Sequence, residues 1–128
     1  MSRLISTARA VAEDGNLSLR DRLVGAFEAV HCSAFHNASR EDALELLQSA
    51  QSAAGALLVQ LERDLMGIIA ALLAEAGVAN RWKKAGVTVA ELSEQLLMSA
   101  KGIKASVETL AAYRERMLTA IRIVMRGP

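Results

Sequence analysis

The sequence predicts an all-α protein, a single-domain bundle of about five to six helices. Three observations carry this prediction: hydrophobic residues make up 52% of the 128 residues, most of them are alanine or leucine, and only 3% of the chain is aromatic. Disordered chains lack the apolar surface that offsets conformational entropy, so this composition excludes disorder. Alanine and straight-chain residues lose little entropy in a helix, which favours helices over strands. The length suffices for one domain with a core and is too short for two.

Capping residues and glycines set the expected ends of the first two helices. The first helix occupies residues 1–14 and ends at Gly15–Asn16, because glycine and asparagine tolerate the left-handed conformation that closes a helix. Ser18 then begins the second helix, with Asp21 as its capping-box partner. We expect this second helix to run to about His36.

The middle of the chain carries two further helices. Ser39 opens a short third helix, and the sequence leaves open whether the chain bends or breaks near Gly55. The fourth helix has a broad apolar stripe from Leu57 to Leu73, which is typical of a buried core helix. It is predicted to end at Gly77 or slightly later, before a basic linker at residues 81–86.

The last two helices have their own start and stop signals. Thr88 and Glu91 have the spacing of a capping box and begin the fifth helix. Ser106 is predicted to cap the last helix, and Gly127–Pro128 to end it.

Charge and cysteine content limit the classes of partner and compartment. The net charge of +1 argues against strong general attraction to nucleic acid or anionic lipid. Cys32 is the single cysteine and cannot form an intrachain disulfide, which favours the cytoplasm. The longest apolar run, Leu65 to Ala74, is shorter than the about 20 residues that a membrane-spanning helix needs. We therefore expect a cytoplasmic protein that is not bound to a membrane.

The last forty residues resemble the end of a known family. Residues 87–104 contain leucines, then small residues, then a glycine–hydrophobic–lysine step at Gly102. Residues 113–127 form an apolar helix with a terminal glycine. Together these stretches resemble the last two helices of TetR-family transcriptional regulators. Upstream, residues 19–35 and 39–80 fit the helices that enclose the effector pocket of that family.

The resemblance implies a homodimer. In that family the last two helices meet those of a second subunit in a four-helix interface, and small residues such as Ser99, Ala100 and Gly102 allow close approach of helices. The expected interface residues are Leu96, Ser99, Ala100, Ile103, Met117, Ala120, Ile121 and Val124.

The chain departs from the family at its beginning. Family members start with a three-helix DNA-binding unit that ends in a tyrosine-containing signature, whereas Tyr113 is the only tyrosine here. No helix-turn-helix pattern precedes Ser18, so residues 1–14 resemble only the tail of the connecting helix. Residues 1–128 are thus expected to form the C-terminal ligand-binding and dimerisation domain. DNA contact would need a helix-turn-helix that this sequence lacks.

The second helix carries the main candidate for a ligand pocket. Phe27, His31 and Phe35 are spaced i, i+4, i+8 and share one face. They are interpreted as an aromatic wall with the imidazole as the polar orienting group for a small, largely apolar effector. The alternative is ordinary core packing with a satisfied histidine. Further candidate ligand-binding residues, each of which could also be simple core, are Leu47, Gln51, Leu61, Leu65, Met66, Trp82 and Met98.

Trp82 has three possible roles. It lies within the basic segment 81–86, so it could cover a pocket entrance, make a cation–π pair or anchor a loop. The sequence does not choose between them.

A neighbouring stripe could suggest a metal site. Glu28, Cys32 and His36 are all competent ligands at i, i+4, i+8. One helix surrounds a metal poorly with three ligands, and no fourth ligand is visible, so neither a metal nor a cofactor is predicted. Cys32 could instead be a redox sensor, but no neighbouring residue in the sequence is clearly positioned to activate its thiol.

The functional prediction is an effector-sensing, dimerising regulatory domain of a TetR-type regulator. Phosphate loops, nucleophile elbows and HExxH motifs are absent from the sequence, so an enzyme is not expected. The arginines of the last helix, including Arg114, are scattered around it and are expected to form a solvated face beside the dimer contact. The alternative function is a helical protein–protein interaction module without a ligand, for example a heterodimerising inhibitor.

Overall fold

A computed structural model describes residues 3–31 and 56–128, and over these residues the chain is helical with no strand. A 3-10 turn at Lys83–Ala85 follows the fourth of the described helices. The helices are α1 (Arg3–Ala12), α2 (Leu19–His31), α3 (Ala56–Glu75), α4 (Val78–Trp82), α5 (Val89–Ser106) and α6 (Leu110–Arg126). The predicted all-α bundle is confirmed. The expected third helix, beginning at Ser39, lies outside the described residues.

Two of the predicted helix starts are confirmed in atomic detail. The backbone N–H of Asp21 donates to Ser18 Oγ at 3.1 Å, so Ser18 caps α2. At α5 the capping box is complete: Glu91 N–H donates to Thr88 Oγ1 and Thr88 N–H donates to Glu91 Oε1, each at 3.1 Å. These bonds satisfy backbone donors that have no partner within the helix.

The predicted cap of the last helix is wrong. Ser106 is the final residue of α5, where its hydroxyl donates to the Gly102 carbonyl at 2.8 Å. Thr109 caps α6 instead, because its extended backbone (φ −127°) lets the side chain accept from Ala112 N–H at 3.1 Å. Serine at the end of a helix can bond backward to a carbonyl one turn earlier, which removes it from the capping role.

The predicted closure of the first helix is also wrong. Helix α1 ends at Ala12, and Gly15 does not have a positive φ. The chain turns through Asp14, whose carboxylate accepts from Asn16 N–H at 2.9 Å. An aspartate can close a turn in this way without a left-handed residue.

Glycines with a left-handed backbone conformation instead lie at both ends of the segment that follows α3. Helix α3 closes before Gly77 (φ 72°), as predicted. The segment at residues 81–86, predicted to be a linker, is helical over most of its length, since α4 and the 3-10 turn run through it to Gly86 (φ 74°). Because α4 buries Val78 in the core, tertiary packing favours a helix there despite the basic composition.

Helix α2 is central to the described bundle, since it packs against α1, α3, α5 and α6. The fully buried side chains follow helical spacing on each element, as the apolar stripes predict. The largest of them are Leu4, Ile5, Leu23, Phe27, Leu65, Ile69, Leu73, Leu96, Tyr113, Met117 and Ile121. No single described helix is long and apolar enough to cross a membrane. The segments Val59–Glu75 and Val78–Ala85 have the required length and composition only when taken together, and they are bent by 85° relative to each other.

The contact between α1 and α2 leaves no room for a side chain at Gly25. A Cβ atom at this position would lie 2.5 Å from Val11 Cγ1, which is shorter than any real contact of that kind. Valine is β-branched and its side chain has little freedom to turn away within a helix. The absence of a side chain at Gly25 therefore lets Val11 of α1 pack against α2 at this point.

We predict that Gly25→Ala lowers the free energy of unfolding by about 1–2 kcal/mol, because overpacking outweighs the gain in helix propensity. Adding Val11→Ala should recover part of this loss, since it removes the atom that clashes. Urea unfolding of the two single variants and the double variant measures the coupling. Gly102→Ala is the matched control: no described atom lies within 4 Å of a Cβ there, so a small stabilisation is expected. Equal effects at Gly25 and Gly102 would contradict the steric account.

Candidate functional site

The predicted aromatic stripe places two described side chains together at the C-terminal end of α2. The rings of Phe27 and His31 stack with centroids 6.3 Å apart and an interplanar angle of 30°. Phe27 is fully buried, and His31 is half-buried. The third member, Phe35, lies outside the described residues, as do Leu47 and Gln51.

The imidazole of His31 has an unusual hydrogen-bonding position. Its Nδ1 atom is buried and has no hydrogen-bond partner in the described part of the chain. Buried polar atoms are nearly always paired, because leaving one unpaired costs about 1–3 kcal/mol. A neutral imidazole offers one donor and one acceptor, so this atom can serve a bound molecule in either role.

Electrostatics keep His31 neutral. The pKa of His31 is lowered from 6.5 to about 4, mainly by burial and to a smaller extent by the charges of Lys104 and Lys101 on α5. A cation is disfavoured both by loss of water and by nearby positive charge. At pH 7 the side chain is therefore an uncharged hydrogen-bonding group.

Two other helices bring charged groups to the same region. Lys101 Nζ on α5 lies 3.1 Å from Glu62 Oε1 on α3. Lys104 follows one turn after Lys101, so both lie along neighbouring positions on one side of α5. Lys104 is exposed and forms no salt bridge with the described residues. The candidate site thus combines a buried aromatic ring and a neutral imidazole on α2 with two lysines of α5 whose charges act on that imidazole.

The other described candidates for ligand binding are distributed differently. Leu61 and Leu65 are buried in the same core as Phe27, and Met66 packs half-buried against that core. Met98 is 60% exposed and lies on the outer side of α5. The structure therefore joins Leu61 and Leu65 to the apolar interior and leaves Met98 on the surface.

Trp82 anchors a segment to the last helix. Its Nε1–H donates to the Val124 carbonyl at 2.7 Å, and Arg81 Nη1 donates to the Met125 carbonyl at the same distance. Both carbonyls belong to the last turn of α6, where no partner exists within the helix. A cation near this negative end of the helix dipole is favourable as well. Of the three roles that the sequence left open for Trp82, the structure shows an anchor.

Most of the residues predicted for the dimer interface are buried in the core of the chain itself. Those buried in its own core are Leu96, Ala100, Met117, Ile121 and Val124. Ile103 and Ala120 are half-buried, and Ser99 is exposed. No described atom lies within 4 Å of a Cβ built at Gly102, so the described bundle does not use this position for a close contact, and the close approach expected there between subunits stays a prediction. The dimer itself stays a prediction.

A buried ion pair is the main feature that sequence reasoning missed. Glu28 is only 4% exposed. Arg114 donates two hydrogen bonds to its carboxylate, from Nε to Oε1 at 2.6 Å and from Nη2 to Oε2 at 2.8 Å. This side-chain hydrogen bonding raises the pKa of Arg114. Arg114 is therefore not simply part of a solvated face, as was expected. A glutamate at a buried position next to Phe27 was the one available signal, since buried carboxylates require a partner.

The ion pair bears on the suggested metal stripe as well. The carboxylate of Glu28 is occupied by a guanidinium, while Cys32 and His36 lie outside the described residues. Within residues 3–31 and 56–128, no three histidine, cysteine or acidic side chains are grouped to hold a metal. A groove of about 310 Å³ lies beside the pair, and its lining includes Val11 and Leu17.

Comparison of the chain with protein-family models, with curated proteins and with solved structures found no match.

Proposed function

We propose that this chain is an effector-sensing helical domain of a TetR-type regulator, and that a small, largely apolar molecule binds at the C-terminal end of α2. The observation that carries the proposal is the buried Nδ1 atom of His31, which has no described hydrogen-bond partner and lies beside the Phe27 ring. The family assignment rests on the resemblance of the last two helices.

The Nδ1 atom of His31, buried and without a hydrogen-bond partner among the described residues, favours a ligand over plain core packing. A position that served only to fill the core would hold an apolar side chain without the cost of burying a polar atom. A bound molecule that hydrogen-bonds to His31 recovers that cost, and Phe27 supplies apolar contact. The residue combination is thus suited to a ligand with an apolar body and one polar group.

The position of α2 gives a route from the site to the rest of the bundle. Helix α2 packs against four described helices, and its contact with α1 is especially close at Gly25. Helix α1 is the segment that resembles the tail of a connecting helix. A ligand can change the arrangement of α1 and α2 only if it binds one arrangement more tightly than the other.

The experiment compares the native chain with His31→Phe in ligand binding. Native mass spectrometry of the purified chain detects retained small molecules, and thermal unfolding against a panel of apolar compounds detects new ones. A ligand at 100 times its dissociation constant should stabilise the native chain by about 2.7 kcal/mol. His31→Phe should fold at least as stably without ligand and lose this response. Two results together would contradict the proposal. No small molecule is retained by the purified native chain, and no compound raises the stability of the native chain more than that of His31→Phe.

The proposal includes a homodimer formed through α5 and α6. Because the core-facing residues of these helices are already buried, the contact would use their outer faces, where Met98 and Ile123 are each 60% exposed. Light scattering at micromolar concentration tests this part. A dimer that dissociates in Met98→Glu or Ile123→Glu supports it, and a monomeric native chain removes it.

The same exposed side chains favour a second candidate function, a helical interaction module that binds another protein and no small molecule. This candidate predicts a monomer in light scattering together with no retained or stabilising ligand. Binding of a ligand through His31 would exclude it.

A further inference from the structure

Going beyond the function proposed above, we infer that a second small-molecule site lies in the groove bounded by α1, α2 and α6, and that it takes a small amphipathic amine, a short apolar chain that ends in one ammonium group.

The groove has the size and the apolar wall of a site for a small ligand. Its volume is about 310 Å³, at the lower end of the range of about 300–1,000 Å³ that is typical of small-molecule pockets. Val11 of α1, Leu17 of the following turn and Val24 of α2 supply the apolar part of its lining. Leu17 is 37% exposed, so an apolar occupant would remove part of this side chain from water. This part of the wall suits a short hydrocarbon chain.

The polar part of the lining is formed in advance by the ion pair. Glu28 and Arg114 both line the groove, and they are joined by two hydrogen bonds of 2.6 and 2.8 Å. A pair with two parallel bonds holds both side chains in a fixed geometry. The two opposite charges compensate each other, so the pair gives the groove a polar wall without a net charge.

Asp21 is the third charged residue that lines the groove, and it sets the sign of the charge there. Its backbone N–H donates to Ser18 Oγ, whereas its carboxylate forms no hydrogen bond or salt bridge with a described residue. Since Glu28 and Arg114 compensate each other, the lining carries one negative charge in excess. An ammonium group would neutralise it, whereas a carboxylate ligand would face two acidic side chains and a single base.

The charged residues next to the groove do not reverse this balance. Arg9 and Glu13 carry opposite charges and line a separate cavity between α1 and α3. Arg22 forms a salt bridge with Glu75 at 3.0 Å. The other charged residues within four positions of the lining along the chain are two acids and two bases, Asp14, Glu115, Arg20 and Arg116. The excess negative charge therefore comes from Asp21.

The test compares hexylamine, 1-hexanol and hexanoate, three probes of equal chain length that differ in charge. Titration of the full chain followed by amide NMR measures each dissociation constant and shows where each probe binds. Hexylamine should bind most tightly, with a dissociation constant on the order of 1 mM, and should shift the amide signals of Leu17, Val24 and Gly25.

Two variants test the role of the charge. Asp21→Asn should weaken hexylamine binding about two- to fivefold, as expected for an exposed charge pair, and leave 1-hexanol binding unchanged. Glu115→Gln removes the same charge from an exposed position on α6 that does not line the groove, and it should leave both unchanged. Equal effects of the two variants, or binding of hexanoate or 1-hexanol as tight as that of hexylamine, would overturn the inference.

The location of the site is tested separately from the proposed effector site. His31→Phe should bind hexylamine as the native chain does, so a failure of the proposed function leaves this inference standing. Loss of hexylamine binding in His31→Phe, or amide shifts that avoid the groove, would show that there is no second site. Absence of hexylamine binding below about 10 mM would overturn the inference as well.

Discussion

Arg114→Met is expected to lower the free energy of unfolding by about 2–3 kcal/mol, because it leaves the Glu28 carboxylate buried without its guanidinium. Breaking a fully buried pair costs about 3–5 kcal/mol. The smaller value expected here reflects the Arg114 side chain, which is 50% exposed and leaves a path for water. Glu28→Gln should cost less, since the half-exposed guanidinium it releases can be hydrated.

Chemical unfolding at pH 7 measures these differences. The double variant Glu28→Gln/Arg114→Met should be more stable than Arg114→Met alone, because it no longer buries a carboxylate that has lost its guanidinium. Arg116→Met, at an exposed position on the same helix, is the control and should change stability by less than about 0.5 kcal/mol. Equal effects of Arg114→Met and Arg116→Met would show that water screens the ion pair fully.

Acid is expected to destabilise the native chain through His31. The pKa of this imidazole is about 4 in the folded chain, against an ordinary value of 6.5. Between these values the unfolded chain takes up a proton that the folded chain does not, so stability present above pH 6.5 is lost as the pH falls towards 4. The full shift corresponds to a loss of about 3 kcal/mol, most of it by pH 4.5.

His31→Gln isolates this contribution, because glutamine does not titrate. Urea midpoints at pH 7, 6, 5 and 4.5 give the slope of stability against pH for both proteins. Acid also acts on the carboxylates that the two proteins share, so the difference between the slopes is the quantity to compare. The native chain should lose stability more steeply; parallel slopes would show that His31 titrates in the folded chain as it does in water.

Local signals predicted much of the helical framework. Ser18, Thr88 and Glu91 cap their helices as expected, since a cap is a contact within four residues of sequence. The prediction of Ser106 as the cap was wrong because Thr109, three residues later, is also of a type that caps helices. Which of the two serves depends on how far packing extends α5, and spacing alone does not show that.

The candidate site was predictable only where it depends on spacing within one helix. The stacking of Phe27 on His31 follows from their i, i+4 positions. The bond from Arg114 to Glu28 spans 86 residues, and no local pattern specifies such a pair. An apolar stripe likewise indicates that Met117 is buried, but not whether its own chain or a partner covers it.

The bond from the Trp82 indole to the Val124 carbonyl has a practical consequence. Trp82 is the only tryptophan in the chain, so its intrinsic fluorescence arises at a single place, the joint between α4 and the end of α6. Emission from this indole shifts when its hydrogen bond and its half-buried surroundings change. The protein thus carries its own label-free reporter, through which loosening of the last helix can be followed in real time.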